Sequence, residues 1–198
     1  MVFAALTLAA VGVQLGLGLR RETFNVVNFF SFFTIESNLI AAVVFVITGV
    51  RALRVAEQDR FALLRGLATL AMTMTGVIYF LLLRGLEASL QTPVPWVNTV
   101  LHYVMPLAVL ADWFIAPPGR SVRFGEALRW VLFPAAYVVY SLTRGALTGW
   151  YPYPFLNASE QGYARIALTC AVMLVAVVGL AALLAARTRG GKRQPRTI

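Results

Sequence analysis

The chain is poor in the residues that build most metal and redox sites. It has one cysteine and one histidine. A lone Cys170 excludes an intrachain disulfide and a cysteine metal cluster. A lone His102 excludes any site that needs two imidazoles from one chain. Lysine is nearly absent as well, with Lys192 alone among arginines. Acidic residues number 8 against 17 basic ones, for a net charge of +9. Such a surplus can mark a nucleic-acid binder. Here the charges sit in connectors between apolar runs and at the C-terminal end, which is the bias of cytoplasmic loops in membrane proteins. No nucleic-acid partner is therefore expected, and no metal or organic cofactor. No internal repeat stands out, so the usual sign of an inverted-repeat transporter is missing.

Apolar residues are what the chain has in quantity. They make up 60% of it, and the mean hydropathy is +0.77. These values predict an all-α, polytopic membrane protein. Arginine alongside abundant Ala, Gly and Val points to a high-GC bacterial source, hence to a bacterial plasma (inner) membrane. Six transmembrane helices are expected: Val2–Leu19, Val26–Val50, Phe61–Leu83, Trp96–Ala116, Ala127–Leu147 and Ala164–Ala186. Each is close to the roughly 20 residues that cross a bilayer. The first has no positive charge before it and no small-residue cleavage pattern after it, so it is expected to be retained. Residues 1–186 would form one transmembrane domain. The basic stretch 187–198 would be a disordered cytoplasmic tail. Helices two to five hold nearly all the intramembrane polar residues, which predicts a core of helices 2–5 with helices 1 and 6 peripheral.

An even number of spans puts both termini on one side. Arg51, Arg54, Arg60, Arg65, Arg120, Arg123, Arg129 and the tail then share that side, against Arg20, Arg21, Arg84, Arg144 and Arg165. The imbalance predicts cytoplasmic termini, although Arg20 and Arg21 pull the other way.

The polar stretch SFFTIESN, Ser31 to Asn38, sits inside the second span. Polar side chains in hydrocarbon are costly and mark sites or helix contacts. At 100° per residue Ser31, Thr34, Ser37 and Asn38 share a face, with Glu36 nearly opposite. A helix polar on two sides is expected at the centre of the bundle. Glu36 would be neutralised by Arg84 or Arg144.

Counting from the same side of the bilayer, Thr34 lies roughly 12 Å deep and His102 roughly 9 Å. The two share a level. Asp112 lies roughly 15 Å below His102 and is not its partner. Asp112 and Trp113 read instead as an interfacial anchor. Arg144 closes the fifth span, after a polar stripe of Tyr137, Tyr140 and Ser141. The loop that follows, GWYPYPFLNASEQGY, is stiffened by its prolines and suited to covering a cavity, with Trp150, Tyr151 and Tyr153 as substrate contacts.

A threonine hydroxyl beside an imidazole is the minimal nucleophile and base pair. An arginine at the mouth suits a bidentate grip on a carboxylate. Asn38 or a backbone N–H would stabilise an oxyanion. Asn98 is the nearest residue to hold the other ring nitrogen, and it faces the substrate. Each residue also has an ordinary reading. Threonines in membrane helices bond the carbonyl four residues back. Asparagines glue helices together, and arginines snorkel to headgroups.

FFTIESN in span two, NTVLH in span four and GWYPYPFL after span five resemble the androgen-induced-gene family. Its characterised members are intramembrane threonine hydrolases that cleave fatty acid esters of hydroxy fatty acids. The whole chain is also similar to a group of bacterial six-helix membrane proteins. The resemblance implies Thr34 as nucleophile and His102 as base. Around these residues the chain departs from the family, with Glu36 and Asn38 after the threonine and Met105–Pro106 after the histidine, which bears on the substrate. The expectation is a hydrolase of a carboxylated fatty-acyl ester, with membrane lipids as surroundings and a lipid-like substrate. The alternatives are a small-solute or proton-coupled transporter using Glu36, His102 and Arg144, or a non-catalytic lipid-binding scaffold. Oligomeric state is not encoded in these patterns.

Overall fold

The computed structural model of the chain describes residues 1–52, 61–86 and 94–189. Most of the charged connector and the tail from Gly190 onward lie outside the described residues. Among the described residues the secondary structure is helical, without strands. The long elements are α1 (Val2–Gly18), α3 (Phe33–Ala52), α4 (Ala62–Ile78), α6 (Met105–Ile115), α7 (Phe124–Thr148) and α9 (Tyr163–Thr188). Short helices α2 (Val26–Phe30) and α5 (Pro95–Thr99) lead into α3 and α6, and α8 (Ala158–Gln161) leads into α9. The last helix runs through Arg187 and Thr188, two residues beyond its expected end.

Among the described residues four helical segments are long and apolar enough to cross a membrane: Phe33–Val50, Ala62–Leu83, Pro95–Ile115 and Tyr163–Thr188. Val2–Gly18 is a shorter apolar helix. The outward faces agree with a lipid environment. Ile115, Leu147 and Val175 are exposed by 83%, 81% and 74%, an arrangement that water would disfavour. This is the architecture of a multi-pass membrane protein.

The helix the others surround is α4. It packs against α3, α6, α7 and α9. The FFTIESN helix, expected at the centre, packs against α1, α4 and α6. Small residues on α4 let neighbouring backbones approach. Gly66 lies under the Trp130 ring, where an added Cβ would come within 1.9 Å of a ring carbon. Gly76 faces Pro106 of α6 in the same way, at 3.0 Å.

At one end of the bundle Arg65 is locked to the C-terminus of α6. Its Nη2 donates to Asp112 Oδ2 at 2.8 Å and also to the carbonyls of Asp112 and Ala116. Asp112 is thus an ion-pair partner, where the local Asp-Trp pattern predicts an interfacial anchor. Trp113 is fully buried beside it, donating from Nε1 to the Leu184 carbonyl at 3.2 Å.

At the other end the expected second span is broken. Ser31 and Phe32 separate α2 from α3. The cause is Tyr137 of α7. Its hydroxyl donates to the Ser31 carbonyl at 3.0 Å and accepts from the Phe33 N–H at 3.3 Å. A side chain inserted into the i→i−4 ladder interrupts a helix in this way. Asn25 caps α2 by accepting from the Asn28 N–H at 3.0 Å.

Two π turns complete the frame: Tyr79–Leu83 continues α4, and Val100–Val104 joins α5 to α6. In the second, Met105 N–H reaches back five residues to the Val100 carbonyl. Pro106 supplies a reason. It has no N–H for the His102 carbonyl four residues back, so the ladder shifts. Single π turns inside α-helices recur at functional sites.

A candidate nucleophile and base between α3 and the π turn

The break sets Thr34 at the second residue of α3, where helical N–H groups have no intrahelical partner. Two tyrosines supply partners. Tyr137 takes the Phe33 N–H, and Tyr153 takes the Thr34 N–H at 3.3 Å. Tyr153 comes from the aromatic loop, which folds inward after α7 ends at Gly149. That glycine has φ +73°, a left-handed conformation natural to glycine at a helix C-terminus. Tyr153 is held by Phe155, stacked at 5.3 Å, and by Phe32, edge-on at 5.7 Å.

Thr34 Oγ1 lies 3.2 Å from His102 Nε2 and 3.4 Å from Tyr153 Oη. Both Thr34 and His102 are buried. The ring's other nitrogen fixes the proton. Nδ1 faces the Asn98 carbonyl at 3.2 Å, and a carbonyl only accepts. Nδ1 therefore carries the hydrogen, and Nε2 is the acceptor that faces the Thr34 hydroxyl. Tyr79 stacks on the imidazole at 4.0 Å, and its Oη accepts from Asn98 Nδ2 at 2.6 Å.

Thr34 differs from the helix threonines around it. The hydroxyls of Thr7, Thr48, Thr69, Thr73, Thr75 and Thr169 each donate to the carbonyl four residues back. That bond is the ordinary fate of a membrane-helix threonine. Thr34 is turned to the imidazole instead.

The remaining candidates divide. Asn38 is fully buried, and its Nδ2 donates to the carbonyls of Thr34 at 2.8 Å and Leu101 at 3.1 Å. Both amide hydrogens are engaged, so Asn38 ties α3 to the π turn and has no donor left for an oxyanion. Asn98 serves His102 through its backbone carbonyl, with its amide turned to Tyr79 and away from a substrate. Tyr151 packs its ring on Gly145, whereas Tyr153 reaches Thr34. Trp150 lies under the Arg144 guanidinium, 4.7 Å from its ring centre. Arg144 Nη2 donates to Asn28 Oδ1 at 2.6 Å. Its Nη1 is buried with no hydrogen-bond partner among the described residues. Among those residues Glu36 forms no salt bridge, because Arg144 is turned to Asn28 and Arg84 lies over Phe80.

Sequence reasoning missed the tyrosine caps. The stripe of Tyr137, Tyr140 and Arg144 was their visible sign: it faces α2 and the break, with Tyr140 Oη 2.7 Å from Ser31 Oγ. It also missed the Ser37–Thr75 hydroxyl pair at 2.8 Å, which ties α3 to α4.

Thr34 forms part of the wall of a small apolar cavity of about 40 Å³, with Phe33, Met74, Tyr137, Tyr153 and Met173. Among the described residues no three His, Cys, Asp or Glu side chains converge as metal ligands would. Chemically, the arrangement offers a hydroxyl, an oriented base and a helix N-terminus facing a greasy cavity. Comparison of the chain with protein-family models, with curated proteins and with solved structures finds no match.

Proposed function

We propose that the protein is an intramembrane lipid-ester hydrolase with Thr34 as nucleophile and His102 as base. The observation that carries the reading is the 3.2 Å contact of Thr34 Oγ1 with His102 Nε2, the ring nitrogen opposite the one that faces the Asn98 carbonyl. His102 takes the hydroxyl proton as Thr34 Oγ attacks the acyl carbon. The oxyanion forms at the N-terminus of α3, where the helix dipole favours negative charge. The Tyr153 O–H, 3.4 Å from Thr34 Oγ1, is the nearest donor. Collapse expels the alcohol, which takes its proton from His102. Water, with His102 again as base, then releases the fatty acid and restores the threonine.

Arg144 supports a carboxylated substrate. Its buried Nη1 lacks a hydrogen-bond partner among the described residues, while Asn28 and Trp150 hold the rest of the guanidinium. Tyr137, whose hydroxyl meets α3, and Arg144 are seven residues apart on α7, roughly 10 Å. A carboxylate about that far from the scissile carbonyl fits a hydroxy-fatty-acid limb. The resemblance to the androgen-induced-gene hydrolases supports the same substrate class. With it go six spans, a bacterial plasma membrane and cytoplasmic termini, as the arginine distribution favours.

The test is hydrolysis of carboxylated fatty-acyl esters by purified protein, with labelling by a fluorophosphonate probe. Thr34→Ala and His102→Ala should each remove most activity. The double variant should be hardly worse, since residues that act as one unit are non-additive. Thr34→Ser should retain part of it. A Thr34→Ala protein that still hydrolyses at the native rate would overturn the assignment.

A further inference from the structure

We infer that the acyl chain of the substrate lies in a groove between α7 and α9 that opens to the bilayer, and that this groove sets the chain length accepted. The inference rests on the hydrolase reading of Thr34. It begins from two cavities with shared walls. The cavity at Thr34 is bounded in part by Met74, Pro134, Val138 and Met173. The same four residues bound a second cavity of about 200 Å³. The two spaces therefore adjoin across these side chains along α7.

The second cavity has the character of an acyl site. Its walls are Met, Val, Pro, Ala and Leu, with the Cys170 thiol the most polar group. A polar or charged ligand would lose its hydration there and find no partner. Met74 and Met173, present in both walls, are flexible enough to follow chains of different shape. The floor is buried Met74, Val131 and Val177, and the lip is exposed Ala135 and Leu174. Beside the lip, Leu132 and Val139 point outward with 67% and 66% exposure. The mouth thus faces lipid tails.

A chain entering from lipid exchanges one apolar surrounding for another, so little hydrophobic drive exists. Selection must come from shape and length. Val131 is six residues from Tyr137, roughly 9 Å along α7. The groove therefore runs down from the Thr34 level, while Arg144 lies up from it. The two limbs of the ester are sorted by direction. The acyl limb, which becomes bonded to Thr34, goes down into the groove, and the carboxylated alcohol limb goes up.

Cys170 makes the groove testable in the folded protein, because it is the only cysteine. Full-length protein in detergent is treated with dodecyl methanethiosulfonate, which joins a dodecyl thiol to Cys170 as a disulfide and releases methanesulfinate. Hydrolysis of palmitoyl and acetyl esters of the same hydroxy acid is then compared. Palmitoyl ester hydrolysis should fall about tenfold or more while acetyl ester hydrolysis changes little, a discrimination of the size hydrophobic pockets give. A thiol reductant should restore the native profile, and Cys170→Ser protein should not respond. Ala135→Trp, which adds bulk at the exposed lip, should shift the profile the same way. Equal loss on both esters, or no change in either, overturns the groove and leaves the hydrolase standing. If untreated protein hydrolyses neither ester, the hydrolase reading fails by itself. A diazirine-bearing palmitate then decides the groove: crosslinks at Val131, Met173 or Val177 keep it, and crosslinks elsewhere remove it.

Discussion

Removing one partner of the Arg65–Asp112 pair should damage the protein unequally, depending on which partner goes. The Arg65 side chain is 5% exposed and that of Asp112 is 37% exposed. In Asp112→Ala the guanidinium stays buried and loses both bonds to Oδ2, from Nε at 3.3 Å and Nη2 at 2.8 Å. The two backbone carbonyls remain, so the loss falls near the lower end of the ~3–5 kcal/mol typical of an orphaned buried charge. In Arg65→Met an apolar chain of similar reach fills the space beside Trp113, and the half-exposed carboxylate hydrates. That loss should be about 1 kcal/mol, the scale of an exposed pair. At about 2–4 °C per kcal/mol for a chain of this size, Asp112→Ala should lower Tm by roughly 6–12 °C and Arg65→Met by roughly 2–4 °C. Thermal unfolding in detergent, followed by circular dichroism, reads both. If Arg65→Met lowers Tm as much as Asp112→Ala does, burial of the charge is not what governs the pair.

Two further outcomes are expected. Arg144→Ala should raise KM for carboxylated esters roughly ten- to a hundredfold, the equivalent of about 1.5–3 kcal/mol for one charge-assisted contact. Neutral esters should be nearly unaffected, and an equal loss on both would make Arg144 structural. Tyr137→Phe leaves the Ser31 carbonyl and Phe33 N–H unpaired, at about 1–3 kcal/mol for each buried group. It should lower kcat by at least about tenfold, since Thr34 loses its fixed place relative to His102. An unchanged kcat would mean the break in the helix stands without the tyrosine.

The meeting of Thr34 and His102 was legible because depth in a membrane helix is a residue count. Two helices entering from one side put equal counts at equal levels. The partner of Arg144 was not legible in the same way. Asn28 sits in what reads as one continuous apolar run, and the break that turns it toward Arg144 is made by Tyr137, 104 residues from Phe33 in sequence. Periodicity reports only local structure, so it carries an unbroken helix through Ser31. Asp112 failed for a related reason. Asp-Trp at a helix end is a local pattern for an interfacial anchor, whereas its ion-pair partner is 47 residues away. The π turn at His102 left one local sign, Pro106. A 3.6-residue period assumes the ladder continues and does not register the shift.

The break before α3 also has a consequence for synthesis. Thr34 is made early, but the hydroxyls that cap its helix belong to Tyr137 and Tyr153, 104 and 119 residues away from the N–H groups they accept from. Before α7 arrives nothing holds Ser31 and Phe33 apart, and Val26 to Ala52 is free to run as one helix. Thr34 would then bond the carbonyl four residues back like its neighbours. On the hydrolase reading, the nascent chain would thus carry its nucleophile masked. A fragment ending before α7 should show the longer helix and no reaction with a fluorophosphonate. On that reading the hydroxyl would be unmasked only when the fifth long helix and its aromatic loop dock, and reactivity would belong to the assembled bundle.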